Sequence, residues 1–212
     1  MQRELRPLVS TTTPDGLVVR TAAGLDVSYA EGSDRLVAAV VVLDVADLRV
    51  VDSAVVAGEA RFPYVPGLFA FRELPALVDA LDRLTVTPDL LVCDGQGIAH
   101  PRRFGLACHV GVLTGLPTVG VAKTPLGRYD PPGDHRGDGS PLVMGEDVVG
   151  RALRTQNGVR PVFVSTGHRI DVDRACTEVL RLTPRYRLPE TTRQADHLSR
   201  QALAGANKRS NP

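Results

Sequence analysis

Apolar residues recur along this chain with two different periods, and the change between them divides it. Gly24-Leu25-Asp26-Val27-Ser28-Tyr29 forms a first short run. Leu36 to Asp44 is an almost unbroken Val/Ala stretch, and Arg49 to Ala57 is another Val-rich one. β-Branched runs separated by short polar turns predict three antiparallel strands in a meander. Because the runs are apolar on both faces, the strands are predicted to be covered on both sides. After Gly67 the period becomes helical, with Phe71, Leu74, Leu77, Val78 and Leu81 on one stripe. Asp89 to Cys93 follows Pro88 as a short buried strand. Pro101, placed at a first helical turn, opens a predicted helix to about Thr114, and Thr118 to Ala122 is the next strand.

The second half is less regular. Leu126 to Pro141 is rich in Gly, Pro, Asp and Arg and predicts a mobile loop. Short strands are predicted over Val148 to Arg154 and Pro161 to Ser165. Asp171 caps a helix through Leu182 that buries Val172, Ala175, Cys176 and Val179. A last helix begins near Thr191, where Thr191 and Gln194 have capping-box spacing. Residues 1–15, with Pro7 and Pro14, form a lead-in that leaves room for only a brief helix, and residues 207–212 a frayed tail, so residues 1–212 are taken as a single domain. Three antiparallel strands followed by alternating helices and parallel strands predict an α/β architecture with a central mixed sheet flanked by helices. That is the element order of an RNase H-like fold.

Composition narrows the function classes. At 212 residues, with 43% hydrophobic and 23% charged, the chain is long and apolar enough to build its own core. Without Trp, that core must be made of Val, Leu and Ala. A net charge of +1 excludes nucleic-acid binding by bulk charge alone and leaves room for a local basic face. Arg102, Arg103 and Arg169 are candidates for that face. Cys93, Cys108 and Cys176 are odd in number and far apart, which reads as reduced thiols; neither Cys108 nor His109 is spaced for zinc. With no signal-peptide run after Met1, the chain is expected to be soluble and cytoplasmic.

Four carboxylates stand where a merely structural acid is unusual. Asp26 interrupts an apolar strand, where an ionised group is costly unless it is paired or binds a cation. Asp94 follows Leu90-Leu91-Val92-Cys93 directly, at the strand end where α/β sheets place their sites. Helical angles put Glu73 at the edge of the buried stripe, roughly 100° from its centre. Asp196 has the same relation to Ala195, Leu198 and Ala202, whereas His197 points further towards solvent. Taken singly, each acid could be a strand-end cap or a surface charge; together they suit a hard cation such as Mg²⁺. Two such ions can clamp the attacking and leaving oxygens of an in-line displacement.

Longer strings surround these acids: Phe62-Pro63-Tyr64-Val65-Pro66-Gly67-Leu68-Phe69-Ala70-Phe71-Arg72-Glu73; Asp94-Gly95-Gln96-Gly97-Ile98-Ala99-His100-Pro101-Arg102-Arg103-Phe104-Gly105; Gly120-Val121-Ala122-Lys123; and Val164-Ser165-Thr166-Gly167-His168-Arg169. With the Asp26 strand they resemble endonuclease V in order and spacing, over most of the chain. The resemblance implies an RNase H-like fold and a DNA repair endonuclease that hydrolyses the second phosphodiester 3′ of deoxyinosine, leaving 3′-hydroxyl and 5′-phosphate ends. It implies Mg²⁺, with Mn²⁺ as a substitute, held by Asp26, Glu73 and Asp94, with a fourth position that falls at Asp196. It makes Tyr64, stiffened by Pro63 and Pro66, a wedge for the gap left by an extruded base. It lines a hypoxanthine pocket with Gly67, Leu68 and Phe69 and with the Gly95 and Gly97 loop, where glycines allow close approach. Lys123, at a strand end near Asp94, would hold the scissile phosphate, and His100 would touch phosphate or the flipped base. His168 receives no role. The rivals are an inosine-specific endoribonuclease, since a single contact to a 2′-hydroxyl could decide between DNA and RNA, a non-catalytic lesion-binding protein, and a different nuclease of the same fold.

Overall fold

In the computed structural model, which describes residues 2–60 and 70–209 (207–209 by backbone alone), the three β-branched runs form the predicted meander. Strand β1 (Thr21–Tyr29) pairs antiparallel with β2 (Arg35–Asp44), which pairs antiparallel with β3 (Val50–Glu59). Strand β2 is buried along nearly its whole length, as its two apolar faces require. Strand β3 is not. It forms an edge of the sheet, where Val50 and Val51 remain exposed and only inner residues such as Ala54 and Val56 are covered. Two-sided burial therefore fails for β3, because the packed helices cover only its inner part.

Helix α2 (Ala70–Leu81) follows, then β4 (Leu90–Cys93), α3 (Leu106–Thr114) and β5 (Thr118–Ala122). Strands β4 and β5 run parallel to β1, with Leu25 beside Cys93 and Cys93 beside Gly120. The remaining strands are β6 (Gly139–Met144), β7 (Asp147–Leu153) and β8 (Val162–His168), all paired antiparallel, so that the sheet order is β3-β2-β1-β4-β5-β8-β7-β6. Helices α2 and α3 pack on one face, against Ala23, Leu25, Val40, Leu91 and Cys93. Helix α4 (Val172–Arg181) covers Ala22, Val92, Val119 and Val164 on the other face, and α5 (Glu190–Arg209) covers Val41 and Leu43 there. Among the described residues no helix is long and apolar enough to cross a membrane.

Several expectations are corrected. Pro101 sits in a turn, and α3 starts at Leu106 after Gly105, in a segment whose backbone is bent back so that the Gly105 amide donates to the Gly97 carbonyl at 3.0 Å. The stretch 126–141 is tied down rather than mobile. Arg154 donates to the Gly133 and Pro132 carbonyls at 2.9 and 3.0 Å, Arg136 to the Thr183 carbonyl at 2.6 Å, and residues 139–141 already belong to β6. Helix α5 begins at Glu190, so Thr191 lies inside the first turn; among the described residues its buried hydroxyl has no hydrogen-bond partner and caps nothing. The same helix continues to Arg209, into the segment expected to fray. Arg103 and Arg169 do not build a free basic face. Arg103 donates to the Met144 carbonyl and Asp147, and Arg169 to the Gly115 carbonyl.

The lead-in contains only α1 (Gln2–Leu5) and a 3₁₀ turn at Arg6–Leu8. It is stitched to the end of β8: the Ser10 amide donates to His168 Nδ1 at 3.2 Å and the Arg169 amide to the Ser10 carbonyl at 2.7 Å. That gives His168 a structural place. Thr13 bonds Asp171, whose carboxylate caps α4 by accepting from the Arg174 amide at 2.8 Å. His109 lies between the Phe71 and Phe104 rings, 4.9 Å from each, and burial lowers its pKa to about 4. Cys93, Cys108 and Cys176 are free and buried, and burial raises all three thiols far above their usual range.

One contact sets how α5 lies on the sheet. A Cβ at Gly24 would stand 2.1 Å from the Thr191 carbonyl carbon and oxygen, so strand and helix backbones touch directly. Both partners are backbone, and neither can swing aside. Gly24→Ala should therefore destabilise the fold by about 3 kcal/mol or more, read as a lowered urea midpoint; an unchanged midpoint would show that α5 is not seated this way.

Candidate active site

Strands β1 and β4 lie side by side, and the fully buried run of each is followed by an acid. Leu25 and Cys93 are parallel neighbours, so Asp26 and Asp94 follow next to one another where β4 ends. Helix α2 packs on the face of the sheet beside them. Its buried positions are Ala70, Glu73, Leu74, Ala76, Leu77 and Ala80, while Phe71, Val78 and Leu81 are only half-buried. Glu73 thus stands within the buried face and not at its rim, with 5% of its surface exposed. Asp26, Glu73 and Asp94 line one cleft of about 270 Å³, walled by Leu25, Leu77 and Leu106.

Three nearby carboxylates repel one another, and each meets that repulsion differently. Lys123, just beyond the end of β5, places its Nζ directly on Asp94 Oδ2. Asp26 accepts a hydrogen bond from Ser199 Oγ at 2.7 Å; burial nevertheless raises its pKa, and the charges of Asp196 and Asp94 add to the rise. Glu73 has no salt bridge among the described residues. Burial, with the charges of Asp26 and Asp94, pushes its pKa up to about 8. Tyr29 lies beside it with the Arg72 guanidinium 4.9 Å over the ring, and its buried hydroxyl has no well-directed hydrogen-bond partner among the described residues.

Asp196 borders a second, open groove together with Asp26, Lys123 and Arg200. It is half-buried and paired with Arg200 Nε at 2.8 Å, while His197 is exposed and bonds Gln201. Helical phase accordingly separates the two residues as expected. Among the described residues no three His, Cys, Asp or Glu side chains are drawn together tightly enough to hold an ion as they stand. The donor set still suits a hard cation: oxygen-only, mutually repulsive, and containing a buried carboxylate with no salt bridge among the described residues.

Asp94 also forms a wall of a separate cavity of about 240 Å³, which Gly95, Gln96, His100, Gly105, Leu106, Ala70, Leu126 and Gln2 complete. Of the glycine pair, Gly97 lies behind this wall: a Cβ there would come within 2.0 Å of the Thr166 carbonyl oxygen, so the loop can press flat against β8 only with glycine. His100 is buried, its Nδ1 accepting from the Arg102 amide at 3.2 Å. Tyr64, Pro66, Gly67, Leu68 and Phe69 lie outside the described residues. Sequence reasoning missed Ser199, Gln2, and the side chain of Gln96, whose Nε2 donates to the Thr124 carbonyl at 3.1 Å. Nothing marks an ordinary polar residue as a support until its partner is known.

The chain matches the profile of the endonuclease V family over residues 3–197. It is 58% identical to an endonuclease V from Nocardia farcinica, over 97% of this chain and 91% of that one. The chain belongs to the endonuclease V family. It is a nuclease, and its sheet of eight strands between helices is RNase H-like. The crystal structure of endonuclease V from Streptomyces avermitilis superposes with a TM-score of 0.92 at 57% identity, covering 97% of this chain and 91% of that one. Endonuclease V from Ciona intestinalis, solved in complex with a 23mer DNA containing an inosine followed by a ribo-adenosine, superposes with a TM-score of 0.87 at 27% identity, covering 97% and 95%.

The raised Glu73 pKa makes a signed claim about the metal-free protein. Its folded value of about 8 lies above the ordinary 4.5, so the fold favours the protonated acid. That contribution is fully present below pH 4.5, is lost as pH rises, and is gone above about pH 8. Glu73→Gln should therefore match wild type near pH 5 and exceed it by a few kcal/mol at pH 8.5, measured by urea unfolding in EDTA. Parallel pH dependences for the two proteins would rule out the shifted acid.

Proposed function

We propose that this endonuclease V nicks DNA at deoxyinosine, cutting the second phosphodiester on its 3′ side and leaving 3′-hydroxyl and 5′-phosphate ends. One observation carries the reading: the acidic cleft and the neighbouring cavity share Asp94 as a common wall. A nucleobase seated in the cavity would bring its own strand past the acids, which joins lesion recognition to cleavage nearby. The complex of the Ciona relative with inosine-containing DNA supports the substrate class.

Each residue then has a task that its position suits. Asp26, Glu73 and Asp94 would hold Mg²⁺, with Mn²⁺ as a substitute, and Asp196 would join from the groove side. When bound, such an ion supplies an acidified water and offsets charge on the attacked phosphate. Ser199 keeps Asp26 turned towards the cleft. Lys123, half-exposed beside Asp94, can hold a phosphate oxygen and draw charge from the phosphorus as the attacking bond forms. The walls at Gly95, Gly105 and Leu106 exclude water around an extruded base, and His100 lines the same cavity. Gly97 lets that loop lie close to the sheet. Tyr64, Pro66, Gly67, Leu68 and Phe69 would complete lesion recognition, with Tyr64 as the wedge. Inosine-containing RNA is the alternative substrate, and the ribo-adenosine in the Ciona complex is the reason to include it.

Matched duplexes with and without one deoxyinosine, incubated in Mg²⁺ and in EDTA, test the proposal. Nicking should require both the lesion and Mg²⁺, and Asp94→Ala should lower its rate about a thousandfold. Equal nicking of both duplexes would remove lesion specificity, and full activity in EDTA would remove the metal. An inosine-containing RNA cut faster than the DNA would reassign the substrate.

A further inference from the structure

Lys123 begins where the sheet ends. The β5–β8 ladder stops at the pair Ala122–Phe163, so the Lys123 carbonyl lies beyond the last strand pairing. Two residues further on, the register would set Thr124 against Pro161, which has no amide hydrogen to give. Arg187, in the segment between α4 and α5, closes the gap. Its Nη2 donates to the Lys123 carbonyl at 2.9 Å and to the Pro161 carbonyl at 2.8 Å, and its Nε donates to the Arg160 carbonyl at 2.9 Å. Its own carbonyl accepts from Thr155 Oγ1 at 2.8 Å, which fixes the arginine's backbone in turn.

This is an unusual use of a cation. Arg187 is half-buried, and no carboxylate pairs with it among the described residues. Burial, together with the nearby Arg160 charge, holds its pKa below the usual range. A guanidinium kept from water without a counter-ion is costly. Here it meets three carbonyls from the two segments beyond the end of the ladder, which the planar fork of an arginine can span and a lysine ammonium cannot. On the far side of Lys123, Gln96 Nε2 holds the Thr124 carbonyl. The lysine's backbone is therefore clamped at its own residue and at the next, while its ammonium rests on Asp94.

We infer that Arg187 is a positioning residue for the nuclease reaction, acting through the backbone of Lys123 to aim its ammonium at the scissile phosphate. The inference rests on the role of Lys123 proposed above. Composition offers a direct way to observe it: of the 25 basic residues only Lys123 and Lys208 are lysines. A protein labelled with ¹³C-lysine thus has just two side-chain Cε signals.

Arg187→Lys should leave the KM for deoxyinosine DNA within twofold and lower kcat about tenfold, as expected for a displaced cation. Arg187→Gln, which adds no third lysine, should shift the Lys123 Cε signal and leave that of Lys208 in place. In a Lys123→Ala background Arg187→Lys should cost less than twofold, because the group that Arg187 positions is already absent. An equal loss of kcat in both backgrounds, or an unmoved Lys123 signal, would overturn the positioning role and leave Arg187 a scaffold residue. Full activity of Lys123→Ala alone would instead refute the role given to Lys123. If Arg187→Lys is not recovered folded, as judged by its melting temperature, Arg187→Gln serves in the same cycle.

Discussion

The structure depends on a place where two backbones touch. Strand β1 carries no side chain at Gly24, so the first turn of α5 rests against the sheet at Thr191. From that contact the helix runs over the strand, and everything it brings to the site follows from the seating. Ser199, two turns further on, meets Asp26 and Ser28, and Asp196 arrives beside the groove. The buried, unbonded hydroxyl of Thr191 is a cost of the close approach. A helix held off by a methyl group would carry both residues away from the acids.

Gathering acids at one end of a sheet also sets an electrostatic problem. Asp94 meets a lysine, Asp196 an arginine and Asp26 a serine hydroxyl, whereas Glu73 is the deepest and has no such pair among the described residues. It is also the acid displaced furthest towards its protonated form. A site whose most buried carboxylate has no salt bridge among the described residues suits a cation from solution.

Much of this was legible in the residues. Strands β1, β2, β4 and β5 were visible because β-branched runs have few other uses, and Asp26 and Asp94 because a charge inside or at the end of such a run is conspicuous. The phase of α2 was misread because alanines carry much of its burial. Ala70, Ala76 and Ala80 are buried, but the larger Phe71, Val78 and Leu81 drew the predicted stripe round towards themselves and left Glu73 at its rim. Strand β6 was hidden by Gly139 and Pro141, which an edge strand tolerates and a central one would not. The apparent mobility of 126–141 came from composition alone, whereas its anchors, Arg136 and Arg154, make their bonds to distant carbonyls. The supports of the site share that difficulty: Ser199 and Gln96 have meaning only through partners far away in sequence.

The three interior cysteines have a practical consequence. Cys93 and Cys108 are fully enclosed in the core and Cys176 is 4% exposed, with every thiol held protonated by its surroundings. Thiol-directed reagents react with the thiolate, so the folded wild-type chain is silent towards them. A single cysteine introduced on the rim of the groove would accept a fluorophore or spin label selectively without removal of the three native cysteines. The approach of a nucleic-acid strand could then be followed from a chosen point on the surface.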